Sequence, residues 1–296
     1  MSGILVTGAS GKLGAYVIRH LQAQGQDFTA WSGQTGGTLL GQELKQVDLT
    51  CHKTVAQAWA ECQADVVLHC AALSAVGDCY ANPDKANLVN HLATANLGEL
   101  APRIIYVSTD MVFDGEKGSY SETDRPNPVS VYGKSKLAGE RALQSHTNAV
   151  VARVGLLYGP SLSPQLGFFD QQMRALKNGE SLNLFHDEWR TPLALDEAAA
   201  ALVLLADSDF TGTYHVAGPK KISRLEMGEG LSDALDYPRN LLCSVSQKSV
   251  NFSETRPPDV SLLCDRAKID WGWSPSSYGE GLKRLIGILP TSSTKK

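Results

Sequence analysis

The segment Ile4-Leu-Val-Thr-Gly-Ala-Ser-Gly-Lys-Leu-Gly14 decides the fold class of this chain. It opens with an apolar run that predicts a short strand, and the apolar spacing over Ala15–Leu21 predicts a helix after the last glycine. A strand, a glycine-rich turn and a helix in this order can hold a dinucleotide. The glycines let the backbone approach the pyrophosphate, and the helix N-terminus offers free N–H groups. The residues predicted to contact the cofactor here are Gly8, Ser10, Gly11, Lys12, Leu13 and Gly14.

Strands and helices alternate through the first half of the chain. Predicted strands cover Phe28–Trp31, Lys45–Leu49, Asp65–Cys70, Arg103–Ser108 and Ala149–Val154. Predicted helices cover Val55–Cys62, Lys85–Leu100 and a segment around Tyr132, while Gly33–Gly41 is expected to be a mobile loop. This alternation is typical of an α/β protein with a doubly wound, Rossmann-type parallel sheet.

The regular alternation weakens after Tyr158-Gly-Pro160, where prolines separate shorter elements. We therefore predict a dinucleotide-binding domain over residues 1–160 and a smaller C-terminal α/β substrate lobe over residues 161–290. Residues 188–218 are expected to return to the first domain, and 291–296 to form a disordered tail. The lobe should cover the carboxyl ends of the strands, where ligands of such sheets bind.

A tyrosine and a lysine stand four residues apart in Tyr132-Gly-Lys-Ser-Lys136. On a helix this spacing places both side chains on one face. An ammonium near a phenol favours the phenolate, so Lys136 is expected to lower the pKa of Tyr132 and make it a proton donor at neutral pH. The spacing alone also fits an ordinary exposed helix, which leaves a structural interpretation open.

Composition excludes several classes of protein. The net charge of −4 argues against nucleic acid as the main partner, and no apolar run reaches the ~18 residues that a membrane span needs. The chain enters its first strand at once, so no secretion signal is expected. The six cysteines form no C-x-x-C pair and the seven histidines show no metal spacing. We therefore expect reduced thiols, a cytoplasmic location and no metal site.

Two further motifs carry a family resemblance. Ser108-Thr-Asp-Met-Val-Phe-Asp-Gly115 leaves a predicted strand, and Val-Tyr-Gly-Lys-Ser-Lys-Leu-Ala-Gly-Glu occupies 131–140. With the glycine turn, they resemble the extended short-chain dehydrogenase/reductase superfamily and, more narrowly, dTDP-4-dehydrorhamnose reductases. The resemblance runs over most of the chain, including Arg190-Thr-Pro192 and the C-terminal Trp271-Gly-Trp273.

The resemblance implies roles for particular residues. Tyr132 would be the general acid, Lys136 would lower its pKa and contact the nicotinamide ribose, and Thr109 would hold the substrate oxygen. Asp48 and Leu49 would lie near the adenine, and Ala71 and Ala72 would line the cofactor passage. Substrate contacts are expected from Thr109, Asp110, Phe113 and Arg190.

Several of these assignments have alternatives. Ser108 is the neighbouring hydroxyl that could replace Thr109. Phe113 could equally be a core residue. Asn90 is expected to be structural, and Arg153 to be a buried structural or cofactor-side cation.

One position departs from the family. These reductases often carry an asparagine, near the sugar-nucleotide phosphates, where this chain has Gly167. The substrate pyrophosphate would then need other cations, for which the candidates are Arg190, Lys220, Arg224 and Arg256.

The cofactor preference rests on the end of the second strand. NAD-selective folds place an acid there, but Trp31-Ser-Gly-Gln34 has none. Lys12 in the glycine turn could reach a 2′-phosphate. NADP(H) is therefore favoured, with NAD(H) as the alternative.

The function that the resemblance implies is NAD(P)H-dependent reduction of a 4-keto-6-deoxy sugar nucleotide. One alternative is a reductase or epimerase of another sugar nucleotide or small carbonyl compound. Another is a cofactor-binding regulatory subunit such as the beta subunit of methionine adenosyltransferase, which resembles the same reductases. A homodimer is left open.

Overall fold

A computed structural model describes residues 3–288. Eight strands form one sheet in the order β12-β7-β6-β5-β1-β2-β4-β3, and all neighbouring pairs are parallel except β3 with β4. The strands are β1 (Ile4–Thr7), β2 (Phe28–Ser32), β3 (Gly37–Leu39), β4 (Gln42–Gln46), β5 (Val66–His69), β6 (Arg103–Thr109), β7 (Ala149–Val154) and β12 (Gly212–Val216). The predicted doubly wound α/β fold is confirmed.

Helices cover both faces of this sheet. They are α1 (Lys12–Ala23), α2 (His52–Cys62), α3 (Val76–Ala81), α4 (Pro83–Asn87), α5 (Ala93–Leu100), α6 (Val131–Ala142), α7 (Phe168–Lys177), α8 (Leu195–Asp207), α9 (Arg224–Ala234), α10 (Asp265–Trp271) and α11 (Tyr278–Ile286). Successive strand residues point to opposite faces. Ile4 and Val6 therefore belong to the core that includes α1 and α8, whereas Leu5 belongs to a second core with α2 and α5.

The second half of the chain adds three small two-stranded sheets. Their strands are β8 (Leu157–Tyr158), β9 (Leu182–Phe185), β10 (Trp189–Arg190), β11 (Leu193–Ala194), β13 (Ile222–Ser223) and β14 (Leu242–Val245), paired as β8 with β11, β9 with β14 and β10 with β13. Helix α8 packs against α1, and β12 pairs with β7, so residues 195–216 lie on the main sheet. The predicted tail at 291–296 lies outside the described residues.

Three local predictions need correction. Gly33–Gly41 is not all loop, because β3 forms an antiparallel hairpin with β4. Strand β4 ends at Gln46, so Asp48 follows the strand instead of ending it. The helix expected over Lys85–Leu100 starts at Pro83 and contains a π-helical turn over Leu88–Leu92.

The part of the chain that the structure describes has no helix both long and apolar enough to cross a bilayer.

The glycine turn after β1 is a close backbone contact. Gly8 has φ +65°, and a Cβ atom there would lie 2.6 Å from the Cα of Ala71. A Cβ atom on Gly14 would lie 2.2 Å from the carbonyl oxygen of Gly8. These neighbours are backbone atoms that cannot swing aside, so the turn requires glycine at both positions.

We predict that Gly14→Ala lowers the free energy of unfolding by about 1–3 kcal/mol, the usual cost of forcing an extra carbon into packed structure, and weakens cofactor binding. Thermal unfolding and cofactor titration measure both effects. The matched control is Gly77→Ala in α3, where a Cβ atom meets nothing within 4 Å. The control should keep cofactor affinity, and equal behaviour of the two variants would contradict the close-contact account.

Candidate active site

The glycine turn leaves the N-terminus of α1 free. Gly11 precedes the helix, and within residues 3–288 no side chain caps it. The N–H groups of the first turn and the positive end of the helix dipole are therefore available to an anion. Ala71, just after β5, lies against this turn, and its N–H donates to the Thr7 hydroxyl at 3.4 Å. The geometry fits the pyrophosphate of a dinucleotide.

Asp48 and Leu49 lie beside the end of β2, where the Val47 N–H donates to the Ser32 carbonyl at 2.8 Å. The Asp48 side chain is exposed and accepts hydrogen bonds from the N–H and hydroxyl of Thr50, at 2.9 and 2.7 Å. Leu49 is buried in the core that contains α2. Asp48 is thus accessible at this edge, whereas Leu49 mainly serves packing.

The stem of Lys12 lies against Gly167. A Cβ atom on Gly167 would lie 2.9 Å from Cδ of Lys12 and 3.2 Å from its Cε. The lysine therefore extends to the start of α7, which does not support the predicted reach to a 2′-phosphate near Ser32. A Cβ atom at position 167 would require the flexible end of the Lys12 side chain to move.

Thr109 and Tyr132 meet where β6 ends and α6 begins. The Ser130 hydroxyl caps α6 by accepting from the Gly133 N–H at 3.0 Å. A Cβ atom on Gly133 would lie 2.1 Å from the Met111 carbonyl oxygen, so α6 starts directly against the turn after Thr109. The half-buried Tyr132 consequently lies beside the Thr109 hydroxyl.

The expected low pKa of Tyr132 is wrong for this structure. Burial raises the pKa of the phenol above its ordinary value, the hydrogen bond with Thr109 opposes the rise, and the charge of Asp110 adds to it. Lys136 is not among the groups that shift it. Its ammonium instead lies 4.0 Å from the centre of the Tyr106 ring.

Lys136 itself is the most unusual group of the site. The residue is only 1% exposed, and its Nζ atom has no hydrogen-bond partner among residues 3–288. Burial lowers its pKa from 10.5 to about 7, although the charge of Glu140 opposes the change. A buried donor without a partner is costly, so the site suits a ligand that brings acceptors such as ribose hydroxyls.

Asp110 is a second buried group with free hydrogen-bonding capacity. The Thr109 hydroxyl donates to its Oδ1 atom at 3.0 Å, and Oδ2 has no partner within the described residues. Burial raises the pKa of this carboxyl from 3.8 to about 6, against the opposing charge of Arg190. The alternative hydroxyl, Ser108, donates to Glu140 instead, which leaves Thr109 as the hydroxyl beside Tyr132.

Two expected substrate contacts are not supported. Phe113 is fully buried and stacks on Tyr120, with ring centres 4.1 Å apart, so it is a core residue. Arg190 is also buried, and its guanidinium donates to the backbone carbonyls of Trp189, Pro257 and Pro258. Its donors are largely used inside the protein, so Arg190 supports the site and is not a free ligand group.

Asn90 and Arg153 have structural roles. Asn90 lies in the π-helical turn and exchanges hydrogen bonds with the backbone of Leu73, while its amide also donates to Ser135 at 2.9 Å. Arg153 forms a buried ion pair with Glu140 at 2.8 Å. Both residues hold α6 and the segment after β5 in place.

Three of the four predicted lobe cations meet at one buried carboxylate. Glu188 lies 3.2 Å from Arg190, 3.8 Å from Arg224 and 3.9 Å from Arg256. We call these four residues the arginine cluster, and Lys220 is not part of it. Three guanidinium groups facing one glutamate leave a surplus of positive charge.

Aromatic rings flank the arginine cluster. Arg224 stacks over Phe168 at 4.3 Å, and Arg256 over Phe252 at 4.5 Å. Arg256 is the most exposed of the three, with 43% of its side chain accessible. The cluster therefore offers an accessible cation at Arg256, and its guanidinium groups are held by the rings beneath them.

Sequence reasoning missed Glu188, Phe252 and Glu254. The Glu254 carboxylate accepts from the Val131 N–H and so joins the loop before Arg256 to the first turn of α6. The contact between Glu254 and Val131 joins residues that are 123 positions apart in the sequence. No local pattern marks such a contact.

Comparison with known proteins agrees with this architecture. The family model described as "RmlD substrate binding domain" matches residues 1–290. The chain is 33% identical over 288 residues to the probable low-salt glycan biosynthesis reductase Agl14 of Haloferax volcanii, covering 95% of this chain and 96% of that protein. It is 31% identical over 297 residues to mouse methionine adenosyltransferase 2 subunit beta, covering 96% and 86%.

A solved structure shares the fold. The dTDP-4-dehydrorhamnose reductase of Bacillus anthracis, in complex with NADP, superimposes with a TM-score of 0.86 at 23% identity, over 97% of this chain and 99% of that one. The chain belongs to the RmlD substrate binding domain family. The resemblance to dTDP-4-dehydrorhamnose reductases and related extended short-chain dehydrogenase/reductases is thereby confirmed.

We predict that Asp110→Asn raises the free energy of unfolding by up to about 3 kcal/mol at pH 7.5, because each pKa unit between 3.8 and about 6 corresponds to ~1.4 kcal/mol. The folded pKa of about 6 exceeds the ordinary 3.8, so the folded state is penalised for the ionised carboxyl above pH 6. The gain should shrink as the pH falls from 6 towards 4. Denaturant unfolding across this range measures it.

Asp114→Asn is the matched control, with the opposite expected sign. Although burial raises the pKa of Asp114, hydrogen bonds from Tyr120 and Asn127 outweigh it and hold the pKa below 3.8. Its ionised form therefore stabilises the protein at neutral pH, and the control should lose stability there. A loss of stability in Asp110→Asn at pH 7.5 would contradict the assignment of Asp110 as a strained buried carboxyl.

Proposed function

We propose that this protein is an NAD(P)H-dependent reductase of a 4-keto-6-deoxy sugar nucleotide. One observation carries the proposal: Tyr132 lies beside the Thr109 hydroxyl at the carboxyl end of the sheet, and Lys136, one turn along the same helix, has no hydrogen-bond partner for its Nζ atom among residues 3–288. The names of the relatives support it, since Agl14 and the Bacillus anthracis protein are both described as reductases. A cytoplasmic location is in keeping with this role.

The residues divide the chemistry as follows. When bound, a reduced nicotinamide supplies hydride to the carbonyl carbon. Tyr132 gives its phenolic proton to the carbonyl oxygen, so that the ketone becomes an alcohol. Lys136, one helical turn along α6, is assigned to the ribose hydroxyls of the cofactor, since its charge does not shift the pKa of Tyr132 in this structure. Thr109 orients the phenol, and its hydroxyl can turn from Asp110 to the substrate oxygen.

The cofactor site fits either nicotinamide dinucleotide. The free N-terminus of α1 takes the pyrophosphate, and Lys136 takes the ribose hydroxyls. We favour NADP(H), because no acidic residue follows the end of β2, where NAD-binding folds place one to hydrogen-bond the 2′-hydroxyl of the adenosine ribose. The position of Lys12 gives no further support, so NAD(H) remains the alternative.

The arginine cluster supports a substrate that carries a diphosphate. Its surplus positive charge needs an anion, and guanidinium groups bind phosphate through paired N–H donors. The guanidinium groups of Arg224 and Arg256, which lie over Phe168 and Phe252, are planar surfaces on which a nucleobase can stack. A small carbonyl compound would leave these groups unused.

The second candidate is a cofactor-binding regulatory subunit. The 31% identity to methionine adenosyltransferase 2 subunit beta favours it. A regulatory subunit needs the cofactor fold but not the proton donor. Catalytic turnover that depends on Tyr132 therefore separates the two functions, whereas cofactor binding does not.

The test follows NADPH and NADH oxidation at 340 nm with freshly generated dTDP-4-keto-6-deoxy-L-mannose. Turnover supports the reductase, and the two cofactors are ranked in the same assay. Cofactor binding without turnover of this or related keto-sugar nucleotides, together with co-purification of a partner enzyme, supports the regulatory subunit.

We predict that Tyr132→Phe lowers kcat by ~10²-fold or more, the scale of general acid catalysis. The cofactor dissociation constant, measured by fluorescence titration, should stay within about twofold because the ring remains in place. Tyr237→Phe, a change in the second half of the chain, is the control and should keep full activity. Unchanged kcat in Tyr132→Phe would remove Tyr132 from the mechanism.

We also predict that Arg256→Ala raises KM for the sugar nucleotide by about tenfold, the loss expected for a hydrogen bond to a charged group. The KM for the cofactor should not change. Arg239→Ala is the matched control, because Arg239 is exposed and paired with Asp233. An equal KM change in both variants would argue against the arginine cluster as the substrate site.

A further inference from the structure

Tyr106 lies directly beneath the ammonium of Lys136. Both residues are buried, at 0% and 1% exposure, and the Nζ atom is 4.0 Å from the ring centre. An ammonium over an aromatic face is attracted by the negative charge density of the ring, more strongly where water is excluded. With no hydrogen-bond acceptor in reach among residues 3–288, the ring is the favourable neighbour that the structure gives this ammonium.

The hydroxyl of Tyr106 fixes the ring in this position. It lies 3.0 Å from the Asn90 carbonyl and 3.3 Å from the Lys136 carbonyl, so it donates between the π-helical turn and α6. A Cβ atom on Gly139 would lie 2.3 Å from this hydroxyl oxygen. The glycine therefore lets α6 approach close enough for the ring to lie beneath Lys136.

We propose that Tyr106 is a positioning residue that favours the protonated form of Lys136 and holds its side chain in place for the cofactor. The ring favours the protonated amine before any ligand arrives, and its hydroxyl fixes the backbone from which the lysine extends. When a cofactor binds, its ribose hydroxyls supply the acceptors that the protein lacks. This inference rests on the proposed function only for the identity of the cofactor.

The charge of Lys136 is finely balanced. Burial brings its pKa to about 7, so the amine is about half protonated at neutral pH. Other titratable groups face it from its own helix, from the end of β5 and from α3. They are Glu140 on α6, His69 and Cys70 at the end of β5, and Cys79 on α3. Glu140 already pairs with Arg153.

The first test needs no cofactor. Tyr106→Phe keeps the ring and removes the hydroxyl, whereas Tyr106→Leu removes both. The ring attracts only the charged ammonium. The leucine variant should therefore unfold at a lower temperature than the phenylalanine variant. This difference between the two unfolding temperatures should be about 2 °C larger at pH 6 than at pH 9. Adding Lys136→Met to both variants should abolish this pH dependence. A difference that is the same at both pH values would overturn the proposal.

The second test measures cofactor affinity by fluorescence titration. If binding requires the charged amine, a fall of one unit in the pKa of Lys136 weakens binding by about tenfold at pH 8 but only about twofold at pH 6. We expect this pattern for Tyr106→Leu relative to Tyr106→Phe. An equal loss at both pH values would show a merely structural role and contradict the proposal.

Wild-type protein provides a third measurement, in which no variant has to fold. Calorimetry in two buffers of different ionisation enthalpy counts the protons taken up on cofactor binding. About half a proton should be taken up near pH 7, and almost none at pH 5.5, as follows from a group of pKa about 7. Absence of uptake at pH 7 would contradict the proposal. If no nicotinamide cofactor binds at any pH, the proposed function fails, and the unfolding test alone decides on Tyr106.

Discussion

The buried ion pair between Glu140 and Arg153 is the interaction on which the site depends. Nε and Nη2 of Arg153 donate to the two carboxylate oxygens at 3.0 and 2.8 Å, and the Ser108 hydroxyl donates to the same carboxylate. The pair joins helix α6 to the neighbouring strands β6 and β7. Removing one partner of such a pair costs ~3–5 kcal/mol, since the other charge stays buried alone. The positions of Tyr132 and Lys136 on α6 follow from this anchor.

Buried polar groups on and around α6 differ in whether the protein supplies their hydrogen-bond partners. Around α6 the polar groups of Glu140, Asn90 and Ser135 are satisfied by other parts of the protein. Lys136 and Asp110 are two of the buried groups in residues 3–288 that have an atom without a hydrogen-bond partner, and both lie at the carboxyl end of the sheet. Other such groups, including Arg103 and Trp271, lie elsewhere in the fold. The arginine cluster carries surplus charge. Native proteins satisfy almost all buried polar groups, so the unused capacity of Lys136 and Asp110 beside Thr109 indicates where a ligand completes this site.

The sequence predicted the structural features that depend on short-range patterns of residues. The glycine turn, the parallel sheet and the meeting of Thr109 with Tyr132 follow from motifs whose residues are close in sequence or end adjacent strands. Such patterns do not predict the direction of a long side chain. The sequence predicts that Lys12 reaches the 2′-phosphate of the cofactor, whereas in the structure its side chain lies against Gly167. The apolar ring of Phe113 suits a hydrophobic core and the lining of a binding pocket equally well. Its complete burial assigns it to the core. Tyr106 beneath Lys136 and the glutamate of the arginine cluster depend on packing between distant segments, which no spacing rule reveals.

The most direct test of the account follows a deuterium label. NADPH that carries deuterium at both C4 positions is incubated with freshly generated dTDP-4-keto-6-deoxy-L-mannose, and the product is analysed by mass spectrometry. The account predicts a reduced sugar nucleotide with one deuterium, located at C4 of the sugar, and its loss in Tyr132→Phe. An unlabelled or unreduced sugar nucleotide, while the cofactor binds normally, would contradict the claim that this site reduces a keto sugar.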